Sequence, residues 1–216
     1  MKKYQKSILS SLMLGILLLL SFTSCLENDN IVNSSVYNDD IEYYHYDQHG
    51  KEIYFTKCKH RIAIYVNPEE KVNEVLEELK SKNLIFSGDA YNPIYAIIDS
   101  TRTDIVEKIK VIKNVESVHY TVKIDEEDKD GFQVTKNYVS VRPKSNISIH
   151  EILEKGRIST NLIDRIEPAK FSDAIYLIYF ITTDLDFYKL SRDLYKTGLC
   201  EYATPGFRLF LIPYNS

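Results

Sequence analysis

Residues 138–153 read YVSVRPKSNISIHEIL. The first residues alternate apolar and polar, the period of a half-buried strand, and the run meets Pro143. Ser148 with Glu151 three residues later is a capping box, and Ile149, Ile152 and Leu153 share one helical face. The same order of signals occurs earlier. RIAIYV at residues 61–66 alternates and runs into Asn67 and Pro68. With Glu70 these read as an N-cap, a first-turn proline and a capping acid. Val72, Val75, Leu76 and Leu79 then fall at i, i+3, i+4 and i+7, one face of a helix.

Each copy continues alike. NLIFSGDAYNPIYAIIDS (83–100) reads as two strand segments around a turn at Gly88–Pro93. Asp104 then opens a helix with Ile105, Ile109 and Ile112 inward, and ESVHYTVKI (116–124) closes as a strand. In the second copy NLIDRIEPAKFSDAIYLIYFI (161–181) gives two strands. A helix follows with Phe187, Leu190 and Leu194 inward and Gly198 at C′. CEYATPGFRLFLI (200–212) is the last strand. The order β-α-β-β-α-β, twice, predicts an α+β protein of two tandem ferredoxin-like domains, antiparallel sheets with helices on one face. The first domain spans 41–124 and includes a hairpin, IEYYHYDQHGKEIYF (41–55), turning at Asp47–Gly50. The charged run DEEDKDG (125–131) is a linker, and 132–216 is the second domain.

The N-terminus is a different kind of sequence. Lys2, Lys3 and Lys6 precede an apolar run from Ile8 to Phe22, the pattern of an export signal. Ending in F-T-S-C, residues 1–24 resemble a bacterial lipoprotein signal, which implies acylation of Cys25 and a lipid tether to the membrane. A plain signal peptide or short anchor is the other reading. The polar, acidic LENDN that follows resembles the surface-export signal of lipoproteins in some Gram-negative anaerobes, so the expected location is the outer membrane. Residues 25–40 read as a flexible tether. Removing residues 1–24 takes three lysines and no acid, leaving 24 basic against 31 acidic residues, a net charge of −7. That balance and the lack of a basic stripe argue against nucleic acid as a partner.

The residues carry no coherent catalytic constellation. The hydroxyls have no G-x-S-x-G elbow, and the histidines at 45, 49, 60, 119 and 150 have no metal spacing. Cys58-Lys-His60 reads as surface beside a strand. Glu126–Asp128 reads as solvated linker rather than a calcium loop. No glycine loop suits a phosphate. The expectation is therefore no enzyme, no metal and no cofactor. Whether Cys58 and Cys200 pair is left open by sequence. Tyrosine is abundant, 17 residues against no tryptophan. Tyr65, Tyr95, Tyr176 and Tyr179 fall on strands, either as packing or on a free sheet face that meets a partner.

YVSVRPKSNISIHEIL (138–153), AIYLIYFI (174–181) and LSRDLYKTGLCEYATPGF (190–207) together resemble the N-terminal pro-region of secreted subtilisin-like serine proteases of anaerobic Gram-negative bacteria. In that family a strand ends in Lys-Pro or Arg-Pro, a helix follows, and a later helix ends in LYxTG before an acidic-aromatic patch. YYHYDQHGKEIYF (43–55) and NVESVHY (114–120) extend the resemblance more loosely over the first copy. Thr204 stands where the family usually has Glu, and the catalytic motifs of the protease are absent from this chain. The resemblance implies an inhibitor or folding chaperone of a subtilisin-like serine protease. The sheet face would lie on the protease, and a C-terminal segment would lie in its cleft, adding main-chain hydrogen bonds. Phe207, Leu209, Phe210, Leu211 and Ile212 would be the tail residues that enter. A surface adhesin or accessory binding module reusing the same fold is the alternative.

Overall fold

The computed structural model describes residues 43–123 and 131–211. The readings of Cys25, the tether, the acidic linker and Ile212 lie outside these residues. The fold is α+β. A small hairpin comes first, β1 (Tyr44–Tyr46) and β2 (Glu52–Tyr54). The first half follows as β3 (Thr56–Val66), α1 (Val72–Ser81), β4 (Ser87–Gly88), β5 (Ile94–Ile97), α2 (Ile105–Lys110) and β6 (Val115–Lys123). The second half is β7 (Gly131–Pro143), α3 (Ile149–Lys155), β8 (Ile163–Ala169), β9 (Ser172–Phe180), α4 (Phe187–Lys196) and β10 (Cys200–Leu211).

All ladders are antiparallel. In the first half β3 lies between β5 and β6, and β4 flanks β5. In the second, β7 lies between β9 and β10, and β8 flanks β9. Numbering each half's four strands in chain order, both halves therefore run fourth, first, third, second. The two sets are joined edge to edge where Val122 of β6 faces Gln133 of β7, so eight strands form one sheet rather than two.

Local signals explain most elements. Ser148 accepts from the Glu151 N–H at 3.2 Å while the Glu151 carboxylate accepts from the Ser148 N–H at 2.7 Å, the capping box read from sequence. These bonds hold the Glu151 carboxyl below its usual range. Asp186 caps α4 by accepting from the Lys189 N–H, and Gly198 follows its end at φ +73°. The hairpin turn closes as expected. Asp47 Oδ1 accepts from the N–H groups of His49 and Lys51, and Gly50 sits at φ +77°. The start of α1 differs. A 3₁₀ turn, Glu69–Lys71, precedes it, and no side chain caps Val72. The cap position of that turn is Pro68, and no side chain caps it, which corrects the reading of Asn67 as an N-cap and Pro68 as a first-turn proline.

The first core packs Ile62, Ile64 and Val66 of β3 under Val75, Leu76 and Leu79 of α1 and Ile105 and Ile109 of α2. In the second half Val139 and Val141 of β7, Ile178 and Phe180 of β9, Ile152, Phe187, Leu190 and Leu194 are buried, and the Phe180 and Phe187 rings meet edge to face at 5.7 Å. A third cluster joins the halves. Phe55 and Val122 pack with Tyr188 and Phe207.

The hairpin, continuous in sequence with the first half, packs on α4 of the second. Tyr43 meets Tyr188 edge to face, and Tyr46 stacks on Tyr195 at 4.8 Å. Arg192, 6% exposed, donates to the Tyr44 carbonyl at 2.9 Å and lies 4.4 Å over the Tyr44 ring. A charged donor to a buried carbonyl contributes about 1.5–3 kcal/mol. Arg192→Leu is expected to cost that much in urea denaturation and to speed amide exchange at residues 44–54 ahead of the rest. Unchanged protection of the hairpin would refute its dependence on this arginine.

Candidate binding face

The helices cover one face of each half, and the two opposite faces have different fates. On the first half, Ala63 and Tyr65 of β3 and Ser117, His119 and Thr121 of β6 alternate with the core residues and point to the helix-free side. Residues of the second half bury them. Ser117 Oγ lies 3.0 Å from His119 Nε2 and 2.5 Å from Thr183 Oγ1. The Glu116 carboxylate accepts from the Thr183 N–H at 2.9 Å. Tyr65 donates its hydroxyl to the Thr135 carbonyl at 2.8 Å, and Arg208 donates to the Asn92 carbonyl at 3.0 Å. Burial pushes the Tyr65 and Tyr95 phenols up, with Arg208 near both.

Of the two readings open for Tyr65 and Tyr95, packing is the one found: the second half lies against them. Tyr176 is packed too. It pairs with Val141 on the side that faces the helices, in step with Ile178 and Phe180.

Ser117 beside His119 has the spacing of a nucleophile and base. Both are 2% exposed, which denies them a substrate. Burial lowers the His119 pKa to about 4, so the ring is neutral near pH 7. Sequence reading missed this network, since polar residues alternating on a strand ordinarily face water. Its signal was the alternation in ESVHYTV itself, with the buried side unidentifiable without Thr183.

The helix-free face of the second half is different. Among the described residues no helix covers it. Tyr138, Ser140 and Arg142 of β7, Ile175, Leu177 and Tyr179 of β9, Arg165 and Glu167 of β8, and Tyr202 and Thr204 of β10 share this side. A row of contacts crosses all four strands. Tyr138 lies flat on Gly206, where an added Cβ would stand 2.4 Å from its ring. Tyr138 and Tyr179 face each other in register with ring centroids 5.1 Å apart. The Arg165 guanidinium sits 3.7 Å over Tyr179. Burial first, then Glu167, raises the Tyr179 phenol.

Each arginine here has an acid beside it. Arg165 meets Asp164 at 2.7 Å and Glu167 at 3.4 Å, and Arg142 meets Glu201 at 3.0 Å. Exposed pairs like these add little stability. They do leave the face near neutral, flat and rich in stiff aromatic surface, which suits protein contact better than a polyanion.

The residues expected to form a tail are mostly in the sheet. β10 pairs with β7 through Leu211, Phe207 opposite Thr135 and Leu211 opposite Gly131. The Phe207 ring packs on Phe55 at 5.2 Å and on Tyr188 at 6.0 Å, while Leu209 is 56% exposed. Cys58 and Cys200 are separate, buried free thiols. Among the described residues no three metal-ligating side chains gather, and no helix is long and apolar enough to cross a membrane.

Gly206 sits in a register shift between Pro205 and Phe207 that lets β10 pass beneath Tyr138. Gly206→Ala should drive Tyr138 off its seat and cost about 1–3 kcal/mol by overpacking. Combining it with Tyr138→Leu should cost less than the sum of the single changes. Strict additivity in thermal melts would show that the two residues do not touch.

No protein-family model matches the chain, and no curated protein matches it.

Proposed function

We propose that the chain is a non-catalytic, lipid-anchored protein of the outer membrane, built from two tandem ferredoxin-like units, that binds and inhibits or chaperones a subtilisin-like serine protease. The strand order of each half supports the ferredoxin-like reading. The observation that carries the function is the helix-free face of the second half. It holds an ordered Gly206–Tyr138–Tyr179–Arg165 row. It also belongs to the half that most resembles a protease pro-region. Tyrosine and arginine held in place by neighbours are the residue types that dominate binding energy at protein interfaces, because little side-chain freedom remains to be lost.

On this reading the face makes the main contact. Phe207 to Leu211 would have to leave β7 to enter a cleft. The alternative, an accessory binding module or adhesin, gains from that same pairing, because the face alone then suffices for binding.

Inhibition assays of the purified protein against secreted subtilisin-like proteases of its own host test the reading. Tyr179→Ala is expected to raise the inhibition constant roughly 30-fold, a hot-spot loss of about 2 kcal/mol. Circular dichroism should be unchanged. If the unaltered chain inhibits and chaperones none of them, the protease reading fails and the binding-module reading stands. The anchor is tested separately. Cys25→Ala should abolish fatty-acid labelling and move the protein out of the membrane fraction, and persistent labelling would exclude acylation at this residue.

A further inference from the structure

We propose that the seam between the two halves is an acid-sensitive latch, in which proton uptake by His119 releases the helix-free face of the first half from residues 183–186 while each half keeps its own core. The seam is built differently from the cores. The cores on either side are aliphatic and aromatic. The seam holds Ser117, His119, Thr121, Thr135 and Thr183, all buried. A cavity of only about 10 Å³ lies beside His119, between Thr135 and the Leu185–Tyr188 segment. Polar groups at that density make this part of the interface depend on matched hydrogen bonds as well as on the apolar cluster beside it, and such a network weakens when one member changes its charge.

The chemistry of the change is specific. Neutral His119 has one ring nitrogen against Ser117 Oγ and interacts with the Thr183 backbone. Taking up a proton places a cation where burial forbids it. Among the described residues no carboxylate is hydrogen-bonded to His119, though Asp186 lines the same cavity. Tyr65 of β3 touches the imidazole edge-on at 5.4 Å, and its phenol stays neutral. Tyr188 of α4 stays neutral as well. Lys110 of α2 opposes a second cation. Of the two carboxylates at the seam, Glu116 accepts from the Thr183 N–H and Asp186 accepts from the Lys189 N–H as the α4 cap. Burial raises the Asp186 carboxyl, which works in the opposite sense by favouring the closed form as it gains a proton.

The sign for His119 follows from linkage. Its closed-state pKa, about 4, lies below its ordinary 6.5. The open state therefore binds more protons between these values. The latch is fully closed above pH 6.5 and weakens as pH falls toward 4. Two and a half units correspond to a rise of roughly 300-fold in the open-to-closed ratio. The joint allows it: among the described residues β6 and β7 pair where Val122 faces Gln133, and the Phe55–Val122–Tyr188–Phe207 cluster lies beside it as a pivot.

The test uses the whole mature chain. Hydrogen exchange from pH 7 to 4, corrected for intrinsic rates, should show protection falling at the Thr183 N–H, which the Glu116 carboxylate holds across the seam. Protection should hold at α1 and α3. His119→Gln, which keeps a donor and an acceptor without a titrating charge, should flatten that dependence. Equal opening in His119→Gln, or loss of seam and cores together, would overturn the latch in favour of ordinary acid unfolding. Should the variant fail to fold, the imidazole resonance of His119 in the unaltered chain decides. Loss of the Thr183 contacts in step with the His119 titration supports the latch, and protonation of His119 with the seam still closed removes it.

Discussion

Strand β7 is the constraint on which everything else hangs. Its thirteen residues pair along one edge with β10 from end to end. Along the other edge the N-terminal part meets β6 and the C-terminal part meets β9. One strand thus serves as the central strand of the second half and as the joint to the first. Val139 and Val141 point into the second core, Tyr138 and Ser140 to the open face, and Thr135 supplies the carbonyl that Tyr65 bonds. A slip of one residue in its register would exchange these faces, removing the core and the binding face together.

Two further ties close the joint. Phe132 lies beneath Arg61 at 4.1 Å and Lys123 at 4.7 Å, so the first residues of β7 are held by cations of β3 and β6. The N-terminal hairpin then reaches across from β3 to grip α4 through Arg192. The chain therefore crosses between the halves twice, once by β6 into β7 and once by the hairpin. Two repeats that could have been beads on a string are combined through backbone, aromatic and polar contacts of quite different kinds.

What the sequence made legible was local. The Ser148–Glu151 box, the Asp47–Gly50 turn and the end of α4 at Gly198 depend on residues a few positions apart, and all three are present. The order of strands and helices was legible for the same reason, since period and punctuation are local signals. Readings failed at an element boundary or stayed open where a distant residue decided. Asn67 has the look of a cap, but the turn begins one residue later at Pro68, with no side chain capping it. Whether Tyr65 packs or lies free is decided only by Thr135 of the second half. The apolar run after Phe207 is compatible with tail or strand, and pairing with β7 selects strand as far as Leu211. The open face was half legible. Tyr179 was singled out, but Tyr138, Gly206 and Arg165 became a row only when register aligned four strands.

The asymmetry between the two helix-free faces is the functional content of the tandem arrangement. Two copies of one topology begin with equivalent faces. In the first copy the face carries hydroxyls and an imidazole, and these are satisfied only because Thr183 and Thr135 come to meet them. Left in water the same side chains would be hydrated and would drive no association, so their burial depends on matched geometry rather than on apolar area. In the second copy the face carries paired tyrosines, Leu177 and neutralised arginines, which lose little by being covered and gain apolar contact. The helix-free face of the first half thus serves internal cohesion, while among the described residues no helix covers that of the second.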